Sequence, residues 1–170
     1  MKPRTELSIN VFLKALETDT IVKGTCSACA VGNMIAAANS VRVRKHPTQQ
    51  FGKDMLNYVT DNFIPNWVRV FVTTHKGVQR YYPEKLTGAI EKMLLKTNFT
   101  IDELRIIEHT FETTAKHHYL SYPTLHPNIV RQDILNGLIA VVEEMLLFDK
   151  STKDVKDVFT SKALLIPVNS

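Results

Sequence analysis

Apolar residues recur every three or four positions through most of the chain, which is the spacing of amphipathic helices. This pattern predicts six helices, over residues 6–17, 26–39, 50–60, 83–96, 101–116 and 128–148. The second is rich in alanine, which favours helix and lets a neighbouring element approach closely. The fifth begins with Thr100 and Glu103, whose three-residue spacing is that of a capping box.

The sixth predicted helix carries the most apolar surface. Its apolar side chains cover an arc of roughly 200°, wider than the single stripe of a surface helix. A helix of this kind must be contacted on two sides, so we expect it to be the axis of the core. The residues concerned are Leu135, Leu138, Ile139, Val141, Val142, Met145 and Leu146.

One segment has the two-residue alternation of a β-strand instead. Val68, Val70 and Val72 alternate with other side chains, and Gly77 marks a turn before the chain returns. The sequence therefore predicts a β-hairpin around residues 67–82. The expected fold is mainly α (α+β), a compact domain of about six helices over residues 1–148, followed by a tail over 149–170 that either docks or stays loose.

Length and composition suit one globular domain, since 44% of the 170 residues are hydrophobic and 22% are charged. Apolar runs such as residues 138–142 are far shorter than the roughly 20 residues that a membrane span needs. The first eight residues lack the apolar run of a signal peptide. The expected location is the cytoplasm, or a particle packaged from the cytoplasm.

The two cysteines, Cys26 and Cys29, have the spacing of half a zinc site, and two further ligands would have to come from elsewhere. A thiol redox pair of the thioredoxin type would need a strand leading into the helix, whereas a helix is predicted before Gly24. Cys26, Cys29 and Asn33 also share one helical stripe, where buried cysteine packs as a small hydrophobe. Packing is the favoured interpretation, and zinc at Cys26 and Cys29 stays open.

Glu108 is unusual because its position falls within the apolar stripe of the fifth helix. A carboxylate there is costly unless it is paired or hydrogen-bonded. It could be an acid of raised pKa or a metal ligand, with His109 and Glu112 nearby. The favoured interpretation is a structural one, in which a backbone amide or a Lys or Arg side chain pairs with Glu108.

Positive charge concentrates at Arg42, Arg44 and Lys45, within a chain of formal net charge +4. These residues could contact phosphates, and such binding would weaken steeply with salt. A short basic cluster without a recognition-helix pattern is more typical of a solvated loop. Nucleic acid is therefore an alternative partner rather than the expected one.

Three blocks of sequence resemble small uncharacterised proteins encoded by phages and prophages of Bacteroidetes. They are residues 25–37 (TCSACAVGNMIAA), 101–112 (IDELRIIEHTFE) and 136–142 (NGLIAVV). Cys29, Asn33, Glu108 and Gly137 stand at the family's motif positions, but the resemblance implies no catalytic role for them. The family usually closes its last helix with an acidic residue and His, whereas this chain has Phe148, Asp149 and Lys150.

The resemblance and the large predicted core favour a non-enzymatic protein that binds another protein. The expected partner is a host factor, a virion component or a second copy of the chain, and no cofactor is required. Phosphate-binding and nucleophile-elbow signatures are absent from the sequence. A zinc- or thiol-dependent protein centred on Cys26 and Cys29 is the first alternative, and nucleic-acid binding through residues 42–46 is the second.

Overall fold

The computed structural model describes residues 1–50, 52–60 and 88–169. It confirms a mainly α-helical fold with one small antiparallel hairpin among these residues. A 3₁₀ helix, Tyr119–Thr124, leads into the longest helix, and a π-helical turn, Lys156–Thr160, leads into the last one. The other elements are α1 (Pro3–Glu17), α2 (Ala30–Ala38), β1 (Val43–Gln50), β2 (Lys53–Thr60), α3 (Gly88–Leu95), α4 (Ile101–Thr114), α5 (Pro127–Phe148) and α6 (Ser161–Ala163).

Helix α5 is the axis of the core, as its wide apolar arc predicts. It packs along α4 and also contacts α1 and the π-helical turn. Leu138 and Val142 are fully buried, and Phe111 of α4 and Phe12 of α1 are fully buried around them. Gly137 makes the approach of α4 possible, because a Cβ atom there would lie 3.0 Å from the Phe111 ring.

The C-terminal residues contribute to this core. Phe159 of the π-helical turn is fully buried and belongs to the same cluster of apolar side chains as α5. Arg131 of α5 donates from Nη2 to the carbonyl of Pro167 at 3.2 Å and to that of Leu16 at 3.1 Å. The chain beyond α5 is therefore packed against the end of α1.

The helix predicted over residues 50–60 is wrong, because residues 53–60 of that segment form β2. Strand β2 pairs antiparallel with β1, with Gln50 opposite Lys53 and Val43 opposite Thr60. Tyr58, Val59 and Thr60 favour the pleated surface of a sheet, and this preference outweighs the helical spacing of the apolar residues. The hairpin predicted around residues 67–82 lies outside the described residues.

Arg4 joins three helices through a buried ion network. Its guanidinium donates two parallel hydrogen bonds to Glu103, at 2.7 and 2.9 Å, and its Nε lies 3.2 Å from Oδ1 of Asp149. The Asp149 side chain has no exposed surface and also accepts from the amide of Lys2 at 2.6 Å. Its negative charge thus stabilises the N-terminus of α1, while Glu103 completes the capping box of α4.

Asp149→Asn is expected to cost about 1–3 kcal/mol of unfolding free energy at neutral pH, because it leaves charged hydrogen bonds unmade. Burial alone would raise the pKa of Asp149, but the Lys2 amide and the Arg4 guanidinium lower it overall. The pKa of Glu103 is also lowered, since Arg4 outweighs burial there. Both carboxylates therefore stabilise the fold above a pH of about 4 and lose that effect as pH falls further.

Denaturant unfolding at several pH values checks this expectation. The difference between Asp149→Asn and the native chain should shrink as pH falls below about 4, because protonation of the carboxylate removes its charge. Asp157→Asn is the matched control on an exposed site and should change stability by less than about 0.5 kcal/mol. A difference that stays constant from neutral to acid pH would contradict the assigned role of the Asp149 charge.

Candidate metal centre

Cys29 lies at the start of α2, after a tight turn rather than inside a helix. The predicted helix start at residue 26 is wrong, because the amides of Ala28 and Cys29 both turn back to the carbonyl of Thr25 and α2 begins at Ala30. The Cys29 sulfur caps the helix by accepting from the amide of Gly32 at 3.3 Å. The thiol is fully buried as a result.

Gly32 makes this turn possible. A Cβ atom at that position would overlap the backbone carbonyl of Cys26 and crowd Ser27. Only a residue without a side chain lets the Cys26–Cys29 turn fold back onto the first turn of α2. The glycine in the CAVGN sequence therefore fixes where the Cys29 sulfur lies.

Two carboxylates of α4 converge on this sulfur. Glu108 and Glu112 are four residues apart and so share one helix face. The Cys29 thiol donates to Oε2 of Glu108 at 3.2 Å, and the Gly24 amide donates a longer bond, 3.5 Å, to Oε1 of Glu112. One potential ligand atom from each of Cys29, Glu108 and Glu112 lies within 4.8 Å of the other two.

The electrostatics of this cluster favour protons when no cation is bound. Burial, followed by the nearby charge of Glu112, raises the pKa of Glu108 to about 7. Burial and then Glu108 raise the pKa of the Cys29 thiol well above its usual value. The pKa of Cys26 is raised as well, chiefly by burial. A reactive thiolate has a lowered pKa, whereas the pKa of each cysteine is raised here. The electrostatics of the two thiols therefore give no support for a redox pair.

A bound cation would reverse this balance. A metal ion deprotonates a coordinating thiol and favours ionised carboxylates around it. The same negative charges that repel one another in the metal-free cluster would then be drawn to a common centre. The arrangement can therefore hold a divalent ion between a helix N-terminus and the face of a second helix.

The neighbouring histidines act as caps and supports. His118 packs its ring against Gly24, and its Nδ1 accepts from the amide of Leu120 at 3.2 Å. Because Nδ1 of His118 is engaged with that amide, this nitrogen is not free to bind an ion. His126 caps α5 in the same way, and His117 donates its amide to Asp133 at 2.7 Å.

The spacing of Cys26 and Cys29 predicts that they act together, but the structure brings Cys29 to Glu108 and Glu112 instead. Cys26 is half-buried and does not belong to the cluster of converging ligand atoms. The sequence presents Glu112 only as a neighbour of Glu108. Its four-residue spacing from Glu108 is the signal that places both carboxylates on one face.

Asn33 has a structural role in the arrangement. Its side-chain amide is buried and lies within hydrogen-bonding distance of the carbonyls of Thr20 (2.9 Å), Ala28 (3.0 Å) and Cys29 (3.1 Å). These contacts tie the loop between α1 and α2 to the first turn of α2. Asn33 thereby supports the backbone that carries the Cys29 sulfur.

The basic residues lie on and beside the hairpin rather than in a loop. Arg44 and Lys45 are consecutive in β1, so their side chains leave opposite faces of the strand. Arg42 precedes the strand, and Lys45 lies 3.6 Å from Asp19. The positive charge is divided between two faces, which gives a phosphate-binding surface less support than the sequence cluster suggested.

None of the helices formed by residues 1–50, 52–60 and 88–169 combines the length and apolar content needed to cross a bilayer. Comparison of the chain with models of protein families, with curated proteins and with solved structures gave no match.

Proposed function

We propose that the protein binds a divalent transition-metal ion of the zinc type through Cys29, Glu108 and Glu112. The observation that carries this proposal is the convergence of the Cys29 sulfur with two carboxylates within 4.8 Å. Three donors from the start of α2 and from α4 meet beside the core, where α4 is held in place by α5. The zinc alternative predicted at the two cysteines is thereby changed to one cysteine and two glutamates.

The distances suit a small ion. Zinc lies at about 2.3 Å from sulfur and about 2.0–2.2 Å from carboxylate oxygen, which places tetrahedral ligand atoms roughly 3.5 Å apart. The Cys29 sulfur and Oε2 of Glu108 are already 3.2 Å apart. The ligand atoms of all three residues lie within 4.8 Å of one another, so any pair longer than that spacing would have to shorten through side-chain rotation on binding.

The donor types indicate which ion is preferred. A thiolate selects softer ions such as zinc, whereas magnesium and calcium prefer sites made only of oxygen. Three protein ligands also leave one coordination position for water or for a polar group of a bound molecule. Because the thiol and Glu108 must release protons, affinity should rise with pH through the neutral range.

Metal content tests the proposal directly. Protein purified without chelator, or reloaded with zinc at about pH 7.5, is expected to hold close to one equivalent by mass spectrometry of the metal. Cys29→Ser, Glu108→Gln and Glu112→Gln should each weaken zinc binding by more than about 100-fold, which exceeds the usual effect of losing only a supporting group. Circular dichroism establishes that each variant is folded.

Two variants serve as matched controls. Cys26→Ser removes the cysteine outside the cluster, and Glu143→Gln removes an exposed carboxylate of α5. Both should keep full zinc binding. A folded native chain that binds no zinc, or binding that disappears in Cys26→Ser but survives in Cys29→Ser, would refute the proposed ligand set.

The sequence also predicts that the protein binds another protein. This stays a prediction, and grooves on the surface support it. Two grooves, of about 390 and 140 Å³, lie along the seam between α1 and α2 and share Val11 and Ala37. Leu7 lines the smaller groove and is 61% exposed. A host factor, a virion component of the kind that the phage resemblance implies, or a second copy of the chain would cover this seam.

Leu7→Lys tests the protein-binding surface. It should abolish self-association by light scattering, or the capture of a partner from purified virions or host extract. Leu147→Lys places the same change on an exposed residue of α5 and should leave either interaction intact. Equal behaviour of the two variants would remove the α1–α2 seam from consideration.

A further inference from the structure

A separate cavity of about 200 Å³ lies between the end of α1, the start of α5, the hairpin and the C-terminal residues. It shares no residue with the Cys29, Glu108 and Glu112 cluster. Its wall combines aliphatic and aromatic side chains with a group of charged side chains around Asp19. The residues that matter for its chemistry are Val22, Ile134, Tyr58, Tyr122, Lys45 and Arg131.

Arg131 is the distinctive group of this cavity. Only 8% of the residue is exposed, and its Nη2 atom donates to the carbonyls of Leu16 and Pro167. Its Nη1 atom is shielded from solvent and has no hydrogen-bond partner within the described ranges. A buried cationic nitrogen without an acceptor is costly, and a shift of the Arg131 side chain toward the cavity would let an anion there supply that acceptor.

The charges at the cavity add to one positive unit. Arg131 and Lys45 are cationic, and Asp19 is the single carboxylate among the lining residues. Asp19 lies 3.6 Å from both, with Oδ1 near Nη2 of Arg131 and Oδ2 near Nζ of Lys45, and it also accepts from Asn169 at 2.8 Å. One carboxylate shared by two cations leaves a net attraction for one further negative charge.

Size and wall chemistry restrict the anion. A cavity of about 150 Å³ lined by apolar side chains can hold a benzene ring, so about 200 Å³ accommodates a ring or branched chain with one carboxylate. The Tyr58 and Tyr122 rings and the aliphatic wall suit such a body. A multiply charged phosphate would meet the Asp19 carboxylate and gain nothing from the apolar wall.

We infer that this cavity binds a small organic monocarboxylate, with its carboxylate paired to Arg131 and Lys45 and its apolar body against Val22, Ile134 and the tyrosines. Nη2 already donates both of its hydrogens to backbone carbonyls, so Nη1 is the atom that would donate a charge-assisted hydrogen bond to the carboxylate. The inference does not depend on metal binding. Its test can therefore be made on protein stripped of metal.

Titration with benzoate, followed by amide chemical shifts, tests the inference. Saturable binding is expected with a Kd on the order of 1 mM or tighter, as suits a ligand of so few atoms. Benzamide has the same shape without the charge and should bind at least about tenfold more weakly, a difference of about 1.4 kcal/mol. Inorganic phosphate should give no saturable shifts at the cavity.

Variants locate the binding in this cavity. Arg131→Lys should weaken benzoate binding at least about tenfold, because the fork of donors is lost. Lys45→Met should weaken it several-fold while keeping the fold, since Lys45 is exposed. Lys14→Met, at an exposed lysine outside this cavity, should have no effect.

Several outcomes would overturn the inference. They are equal affinity for benzoate and benzamide, saturation by phosphate alone, or benzoate binding that is unchanged in Lys45→Met. If Arg131→Lys does not fold, Lys45→Met and the comparison of benzoate with benzamide still show whether the cavity binds a carboxylate. If Lys45→Met weakens benzoate binding but leaves zinc binding intact, the cavity and the proposed metal centre bind their ligands independently.

Discussion

Leu138→Ala is expected to lower the free energy of unfolding by about 2–5 kcal/mol. Leu138 is fully buried at the centre of α5, where that helix is enclosed by other elements of the core. Truncation removes apolar contacts and leaves a cavity that rigid neighbours cannot fill. Urea unfolding followed by circular dichroism measures the loss.

Leu147→Ala is the matched control for this substitution. It makes the same chemical change in the same helix, but Leu147 is 69% exposed. Its effect should stay within about 0.5 kcal/mol. A loss below about 1 kcal/mol for Leu138→Ala, or equal losses for the two variants, would show that α5 is not the axis of the core.

Gly32→Ala is expected to destabilise the protein by about 1–3 kcal/mol, as overpacking does in other buried sites. Glycine to alanine normally stabilises a helix interior by roughly 0.5–1 kcal/mol. Here the added Cβ would overlap the Cys26 carbonyl, so the turn or the start of α2 must shift. The Cys29 sulfur should move with it, and zinc binding should weaken along with stability.

Gly88→Ala provides the comparison for Gly32→Ala. Gly88 is the first residue of α3, and no atom among the described residues lies within 4 Å of an added Cβ. This variant should be neutral or slightly stabilising and should leave zinc binding unchanged. If Gly32→Ala proved as stable as Gly88→Ala and kept its zinc, the close packing of the Cys26–Cys29 turn would be contradicted.

The helical part of the fold follows well from residue periodicity. The capping box at Thr100 and the wide apolar arc of α5 are local signals, and both appear in the structure as predicted. The apolar spacing of residues 50–60 fits a helix and therefore predicts the wrong element. The strand in this segment depends on pairing with β1, which the spacing of apolar residues does not indicate. The ion network of Arg4 joins residues about 145 positions apart and has no local signature.

The candidate site was only half visible in the sequence. Cys29 and Glu108 were each singled out, but their meeting across 79 positions depends on how α2 packs against α4. The partner expected for Glu108 was a backbone amide or a basic side chain, and the structure instead gives it the Cys29 thiol. The spacing of Cys26 from Cys29 predicts a shared zinc site, yet the tight turn that Gly32 permits leaves Cys26 outside the cluster.

Cobalt substitution tests the proposed coordination most directly. Co²⁺ takes zinc sites and reports a bound thiolate as a sulfur-to-metal absorption band in the near ultraviolet, together with visible bands of tetrahedral geometry. One equivalent of Co²⁺ should produce both features in the native chain and in Cys26→Ser. The sulfur band should be absent in Cys29→Ser, and the visible bands should be lost or shifted in Glu108→Gln. Folded native protein that gives no sulfur band, or a band that depends on Cys26 instead of Cys29, would contradict the account.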